Sequence, residues 1–137
     1  GIIRFAELLL IEAEANIEWD GGDLAIAEAN INRVRARVNM PPVTDRSREG
    51  LRKALRYERK AELCNEGFRW FDIRRWKIGA ETTKVYGLTI TPQNDGSFSY
   101  MRSVIQQRGW EDRMNFYPIA DAELFKNHNL VQNDGWK

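Results

Sequence analysis

Between Leu24 and Val38 the apolar positions Leu24, Ala27, Ile31, Val34 and Val38 fall at steps of 3, 4, 3 and 4, the single stripe of a helix lying on a core. Upstream, residues 2–18 (IIRFAELLLIEAEANIE) are apolar on more than one side, which predicts a helix sandwiched between neighbours. The run Asp20-Gly21-Gly22-Asp23 breaks the two apart, and Asp23 is placed to cap the second. Asn39 and Pro41-Pro42 end that second helix. Two antiparallel helices joined by a short turn form the hairpin unit of helical repeats; the chain contains one such unit.

A third helix is predicted from Ser47 to Asn65, with Gly67 as a break after it. Two stripes run along it. Tyr57, Ala61, Cys64 and Phe68 form one; Leu51, Leu55, Glu58 and Glu62 form the other, so that two carboxylates continue an apolar face. Residues 68–78 read as a further, shorter helix. After Gly79 the texture changes. Residues 85–91 (VYGLTIT) and 98–101 (FSYM) are β-prone around Pro92-Gln93-Asn94-Asp95-Gly96, which suits a small hairpin or an extended loop. Residues 110–118 read as extended, 121–127 as a short last helix, and 129–136 as a polar tail. The fold class is therefore mainly α. Within a single domain, residues 1–78 form a helical bundle, 79–117 a loop-rich or hairpin insert, and 118–137 a short helix and tail.

Composition narrows the classes. Of 137 residues, 42% are hydrophobic and 30% charged, the make-up of a globular domain with a real core. The 21 basic and 20 acidic residues nearly cancel, which argues against a nucleic-acid partner. The single cysteine, Cys64, cannot make an internal disulfide. The longest apolar run, Leu8–Ile11, is far too short to cross a membrane. No signal-peptide pattern opens the chain; a helical pattern starts at residue 2 with no capping Ser, Thr, Asp or Asn, which suggests preceding native sequence.

The chemistry concentrates in residues 57–76, YERKAELCNEGFRWFDIRRW. Glu58 and Glu62 lie one helical turn apart, and paired carboxylates can divide acid and base roles when their environments separate their pKa values. Arg59, Lys60, Arg69, Arg74 and Arg75 share the stretch. Close guanidinium groups hold carboxylates ionised and dock helices through planar contacts, which suits a structural framework better than proton transfer. His128 is the only histidine, and no ligand spacing for a metal occurs. Asp20–Asp23 and Asn94-Asp95-Gly96 are too sparse for Ca²⁺ and read as turns. Neither a phosphate loop nor a dinucleotide fingerprint is present, so no cofactor is expected. Of five tryptophans, Trp70 and Trp76 read as core or arginine-packed, whereas Trp19 and Trp110 fall at or in connecting segments. Loop aromatics are the better ligand candidates: Trp110, with Tyr100 and Tyr86 from the insert.

Three separated motifs then line up. RFAELLLIEAEA with INRVRARV, ERKAELCNEGFRWFDIRRW, and YPIADAEL with NHNLVQNDGW together resemble the C-terminal domain of the SusD/RagB family, outer-membrane nutrient-binding lipoproteins of Bacteroidetes. The resemblance covers about the whole chain, in order. Ala120 departs from it, standing where the family generally has the proline that starts the last short helix. The resemblance implies TPR-like helical hairpins carrying a more irregular, loop-rich surface. It implies a longer, lipid-anchored protein on the cell surface, its anchor outside this chain, seated on a SusC-like TonB-dependent transporter and passing it a glycan or other nutrient. No catalytic or metal site is implied. Residues 57–76 become an ionic scaffold in which Glu58, Glu62 and Asp72 meet arginines such as Arg59, Arg69 and Arg75. Two other classes stay open: a helical protein-binding module without a small-molecule site, and a glycan-cleaving enzyme using Glu58 and Glu62.

Overall fold

The computed structural model describes residues 3–136, which form two compact units divided between Arg69 and Trp70. In the first unit, α1 (Phe5–Glu18), α2 (Leu24–Ala36) and α3 (Arg48–Glu62) enclose one core. Leu10, Ile17, Ile31, Leu51 and Leu55 are fully buried there, with Ala13, Ala27 and Val34 between them. Phe68, in the first turn of α4 (Phe68–Arg75), packs against this core. α1 touches both α2 and α3, as the apolar residues on more than one of its sides required. Even so, Phe5, Leu8 and Ile11 face solvent.

Local chemistry sets the helix ends. Asp23 Oδ1 accepts from the backbone N–H of Ala25 at 2.8 Å and of Ile26 at 3.4 Å, and Ser47 Oγ from that of Gly50 at 3.0 Å. Each cap stabilises its helix by about 1 kcal/mol. α1 begins at Phe5 with no side-chain cap, and the expected start at residue 2 lies outside the described residues. The turn after α1 folds so tightly that a Cβ on Gly22 would lie 2.1 Å from the Asn16 carbonyl oxygen. Asn16 Oδ1 in turn accepts the Asp23 N–H at 2.9 Å.

Several expectations are corrected. α2 stops at Ala36, two residues before Val38, which is exposed; Asn39 beyond it is left-handed, with φ 56°. α3 stops at Glu62, short of Asn65, because Asn65 and Gly67 both adopt positive φ (63° and 86°). The stripe of Tyr57, Ala61 and Cys64 is solvent-facing; only Phe68 of that set meets the core. α4 ends at Arg75, before left-handed Lys77 (φ 53°), and a short 3-10 segment follows at Gly79–Thr82.

The second unit is built around a two-stranded antiparallel hairpin of β1 (Lys84–Pro92) and β2 (Phe98–Gln107), six residues longer in β2 than residues 98–101 suggested. Its loop closes through the Gln93 N–H donating to the Ser97 carbonyl at 2.8 Å, with Gly96 at φ 82°. A bulge between Val85 and Tyr86 shifts the register. Beyond the hairpin, Asp112–Asn115 forms a 3-10 turn where extended chain was expected. α5 (Asp121–Lys126) follows. The two final motifs are clasped together: the Ile119 N–H donates to Gln132 Oε1 and Gln132 Nε2 to the Ile119 carbonyl, each at 2.8 Å. Trp136 Nε1 also donates to the Arg113 carbonyl at 3.0 Å. The molecule is thus mainly α, with a helical bundle and a small β-hairpin.

Candidate functional site

In the first unit the carboxylates of α3 bond arginines from elsewhere in the chain. Arg35 of α2 donates through Nη1 to Glu58 Oε2 at 3.0 Å and through Nε to the Pro41 carbonyl at 2.8 Å. Glu62 receives Arg4 Nη1 at 3.0 Å and Arg37 Nη2 at 2.7 Å. Arg4, just before α1, also reaches the Glu62 carbonyl at 2.8 Å and pairs with Glu66. Buried Arg59 lies 4.0 Å from Glu14 of α1. Arg52 grips Glu18 with Nε at 2.7 Å and Nη2 at 2.9 Å. Arg48 donates to the carbonyls of Ile17 and Trp19 at the end of α1. Opposite charges therefore run from α3 to both α1 and α2.

Burial pushes the Glu62 carboxyl up, but the hydrogen bonds from Arg4 and Arg37 outweigh that and hold it below the usual range. The hydrogen bond from Arg52 likewise lowers Glu18, against partial burial. A carboxylate held ionised in this way suits electrostatic docking better than proton donation. Of the remaining framework residues, Arg69 is half-buried on α4, and Asp72 is buried, accepting Arg75 Nε at 2.9 Å and Nη2 at 2.7 Å one turn along that helix.

The second unit holds an aromatic and basic cleft of about 230 Å³. Trp110 forms one wall, so close to the 3-10 segment that a Cβ on Gly79 would sit 1.8 Å from its Cε2. Trp70, on α4, forms another, and its indole N–H donates to the Tyr117 hydroxyl. Arg74 lies one turn further along, its guanidinium carbon 3.3 Å from the Trp70 ring centroid, 5.3 Å from that of Trp110 and 5.2 Å from that of Tyr117. Thr82, Thr83 and Arg108 complete the polar part of the lining.

Trp110, Tyr100 and Tyr86 are not brought to one place. Trp110 lines the cleft; Tyr86 and Tyr100 lie on the hairpin. The register pairs Tyr86 with Val104, Leu88 with Arg102, Ile90 with Tyr100 and Pro92 with Phe98, so all eight share one sheet face. That face is apolar and open, with Tyr86, Leu88, Ile90, Phe98, Tyr100 and Val104 all exposed, while Arg102 stacks on Tyr86 at 3.8 Å. The opposite face carries Thr89, Thr91, Ser99 and Ser103 around the exposed Met101. Sequence reasoning missed Trp70, Arg74 and Arg108. The i,i+4 spacing of Trp70 and Arg74 was the available signal, since it stacks guanidinium on indole.

Among the described residues no group of three or more His, Cys, Asp or Glu side chains could hold a metal ion. No described helix is long and apolar enough to cross a membrane.

Comparison with known proteins places this architecture. The model of the SusD family matches residues 1–136. A SusD-like protein P2 from Formosa agariphila is 34% identical over 139 residues, covering 96% of this chain and 25% of that protein. The crystal structure of a SusD-like protein from Bacteroides fragilis superposes with a TM-score of 0.81 at 34% identity, over 98% of this chain and 25% of that one. A SusD superfamily protein from Bacteroides vulgatus superposes at 0.65 with 26% identity, over 98% of this chain and 27% of its own. The chain thus spans about a quarter of the length of these relatives.

Proposed function

The chain belongs to the SusD family, and from that premise we propose that it is part of an outer-membrane, cell-surface nutrient-binding protein, most of whose helical portion is scaffold. The ligand class we infer is a glycan, passed on to a SusC-like TonB-dependent transporter, with the lipid anchor lying outside these residues. The match over residues 1–136 carries the reading. Trp110 is the ligand-contact candidate that sits in a cleft. Glu58, Arg59, Glu62, Arg69, Asp72 and Arg75 are assigned to an ionic framework, and the protein is read as a binder and not an enzyme. Incubation with size-defined polysaccharides tests this: retention of the polymer without shortening is expected. Release of new reducing ends, abolished in Glu58→Gln, would replace binding with cleavage.

The hairpin favours a second role for Tyr86 and Tyr100. A flat apolar strand face is the surface of a protein contact rather than of a sugar groove. A lone hairpin is also marginally stable in water and gains from cover on its apolar face. We assign that face to contact with polypeptide belonging to the rest of a SusD-like chain, given relatives about four times as long.

A further inference from the structure

Among the described residues the cleft at Trp110 is lined by two guanidinium groups and by no carboxylate. Arg74 commits Nη1 to the Trp70 carbonyl at 3.1 Å, while its Nε is buried without a hydrogen-bond partner. Arg108 is exposed, and its side chain reaches the Gln106 side chain through Nε at a long 3.4 Å. The arginines of the first unit contrast with this, since Arg4, Arg35, Arg37 and Arg52 each bond a carboxylate.

The same imbalance continues on the other side of Arg74. A shallower recess shares Arg74 and adds Phe71, Phe116, Arg75 and Lys77, again with no acid in its lining. Asp72 answers Arg75 there, and among the described residues Arg74, Lys77 and Arg108 meet no carboxylate. Flat aromatic surface beside such cations is a receptor for a ring that carries a negative charge. The indoles of Trp70 and Trp110 take the apolar face of the ring. The guanidinium groups take the anion by charge-assisted hydrogen bonds, and an aromatic platform holds a guanidinium in place without neutralising it. The volume, about 230 Å³, is below the roughly 300–1,000 Å³ of pockets for drug-sized ligands, so it admits about one sugar ring of a longer chain.

We propose that the Trp70–Arg74–Arg108–Trp110 cleft binds an acidic sugar unit, its carboxylate or sulfate ester meeting Arg74 and Arg108 while its ring lies on the tryptophans. This rests on the glycan-binding reading above and narrows it to negatively charged polymers.

Affinity electrophoresis of the chain in gels containing polygalacturonate, κ-carrageenan or neutral pullulan tests the proposal and separates carboxylate from sulfate. The expected result is saturable retardation by one acidic polymer and none by pullulan. Arg108→Gln, which alters an exposed side chain, should weaken that retardation by roughly tenfold or more, the scale on which charge-assisted hydrogen bonds count. Arg74→Lys should weaken it less than Arg74→Gln. Lys84→Gln, outside the cleft, should leave it unchanged. Equal loss in Lys84→Gln would reduce the effect to general surface charge and overturn the proposal. Retardation by pullulan as strong as by the acidic polymers, indifferent to Arg108→Gln, would overturn it while leaving the glycan reading standing. No retardation by any of the three would count against both.

Discussion

Arg35 Nη1 lies 3.0 Å from Glu58 Oε2, and both side chains are largely withdrawn from water, 14% and 9% exposed. The pair joins α2 to α3, and Arg35 Nε adds a bond to the Pro41 carbonyl that ties down the connecting loop. Charge here replaces the apolar contact that the stripe Leu51, Leu55 would otherwise continue.

Breaking the pair from one side is therefore expected to be severe. Glu58→Ala leaves Arg35 buried beside no carboxylate and should cost roughly 3–5 kcal/mol, read as a lowered melting temperature by circular dichroism. The double variant Arg35→Met with Glu58→Leu should melt near or above the wild type, because well-packed apolar replacements of a buried pair are often neutral or stabilising. A Glu58→Ala protein as stable as wild type would show that the pair fixes nothing.

Acid should loosen the first unit. Glu62 and Glu18 are both held below their unfolded values in the folded chain. Their contribution is complete above the unfolded carboxylate range, near pH 4.3, and is lost as pH falls through the lower folded values. Denaturant midpoints should drop as pH is lowered from about 5 through 4 and below. Glu62→Gln should flatten that dependence as well as lowering the plateau. An unchanged slope in Glu62→Gln would remove Glu62 from the framework.

Gly79 and Gly109 should behave oppositely. Gly79→Ala drives a Cβ into the Trp110 ring, 1.8 Å from Cε2, whereas a Cβ on Gly109 meets nothing within 4 Å. The first change should shift the tryptophan emission and destabilise by about 1–3 kcal/mol, the range for overpacking. The second should leave the emission spectrum as it is. Identical spectra for both variants would mean that Trp110 does not rest on the 3-10 segment.

The hairpin face should be sticky. Leu88→Thr with Ile90→Thr keeps the β-propensity of β1 and removes two exposed apolar side chains from the face that carries Tyr86 and Tyr100. Less binding of an apolar dye and less concentration-dependent light scattering are expected. Thr89→Ser, on the opposite face, should change neither.

What the sequence revealed was what local chemistry decides. Asp23 and Ser47 could be read as caps because each bonds an N–H within three residues. The motif order from RFAELLLIEAEA to NHNLVQNDGW carried the family. Partners set by tertiary packing were out of reach: nothing local to residues 57–76 says that Glu62 meets Arg4, 58 positions upstream. The overshoot at Val38 and the stripe through Tyr57 and Cys64 have a related origin. Periodicity marks a face able to be buried but does not supply the neighbour that buries it. The second strand was under-read because Arg102, Ser103, Gln106 and Gln107 dilute its β-prone residues, and pairing with β1 is what holds it. The cleft is half legible. Trp110 stands out as a loop aromatic, while Trp70, like Trp76, reads as core or arginine-packed, and only the i,i+4 spacing marks Arg74 as the partner whose stacking on Trp70 forms the cleft wall.

The measurement that bears most directly on the central claim is a tryptophan-fluorescence titration of the folded chain with a panel of soluble polysaccharides. A nutrient-binding segment with Trp110 at its ligand should give a saturable shift with one glycan class, lost in Trp110→Ala at unchanged melting temperature. No saturable shift with any member of the panel, or a shift that Trp110→Ala leaves intact, would contradict the placement of ligand contact in this chain.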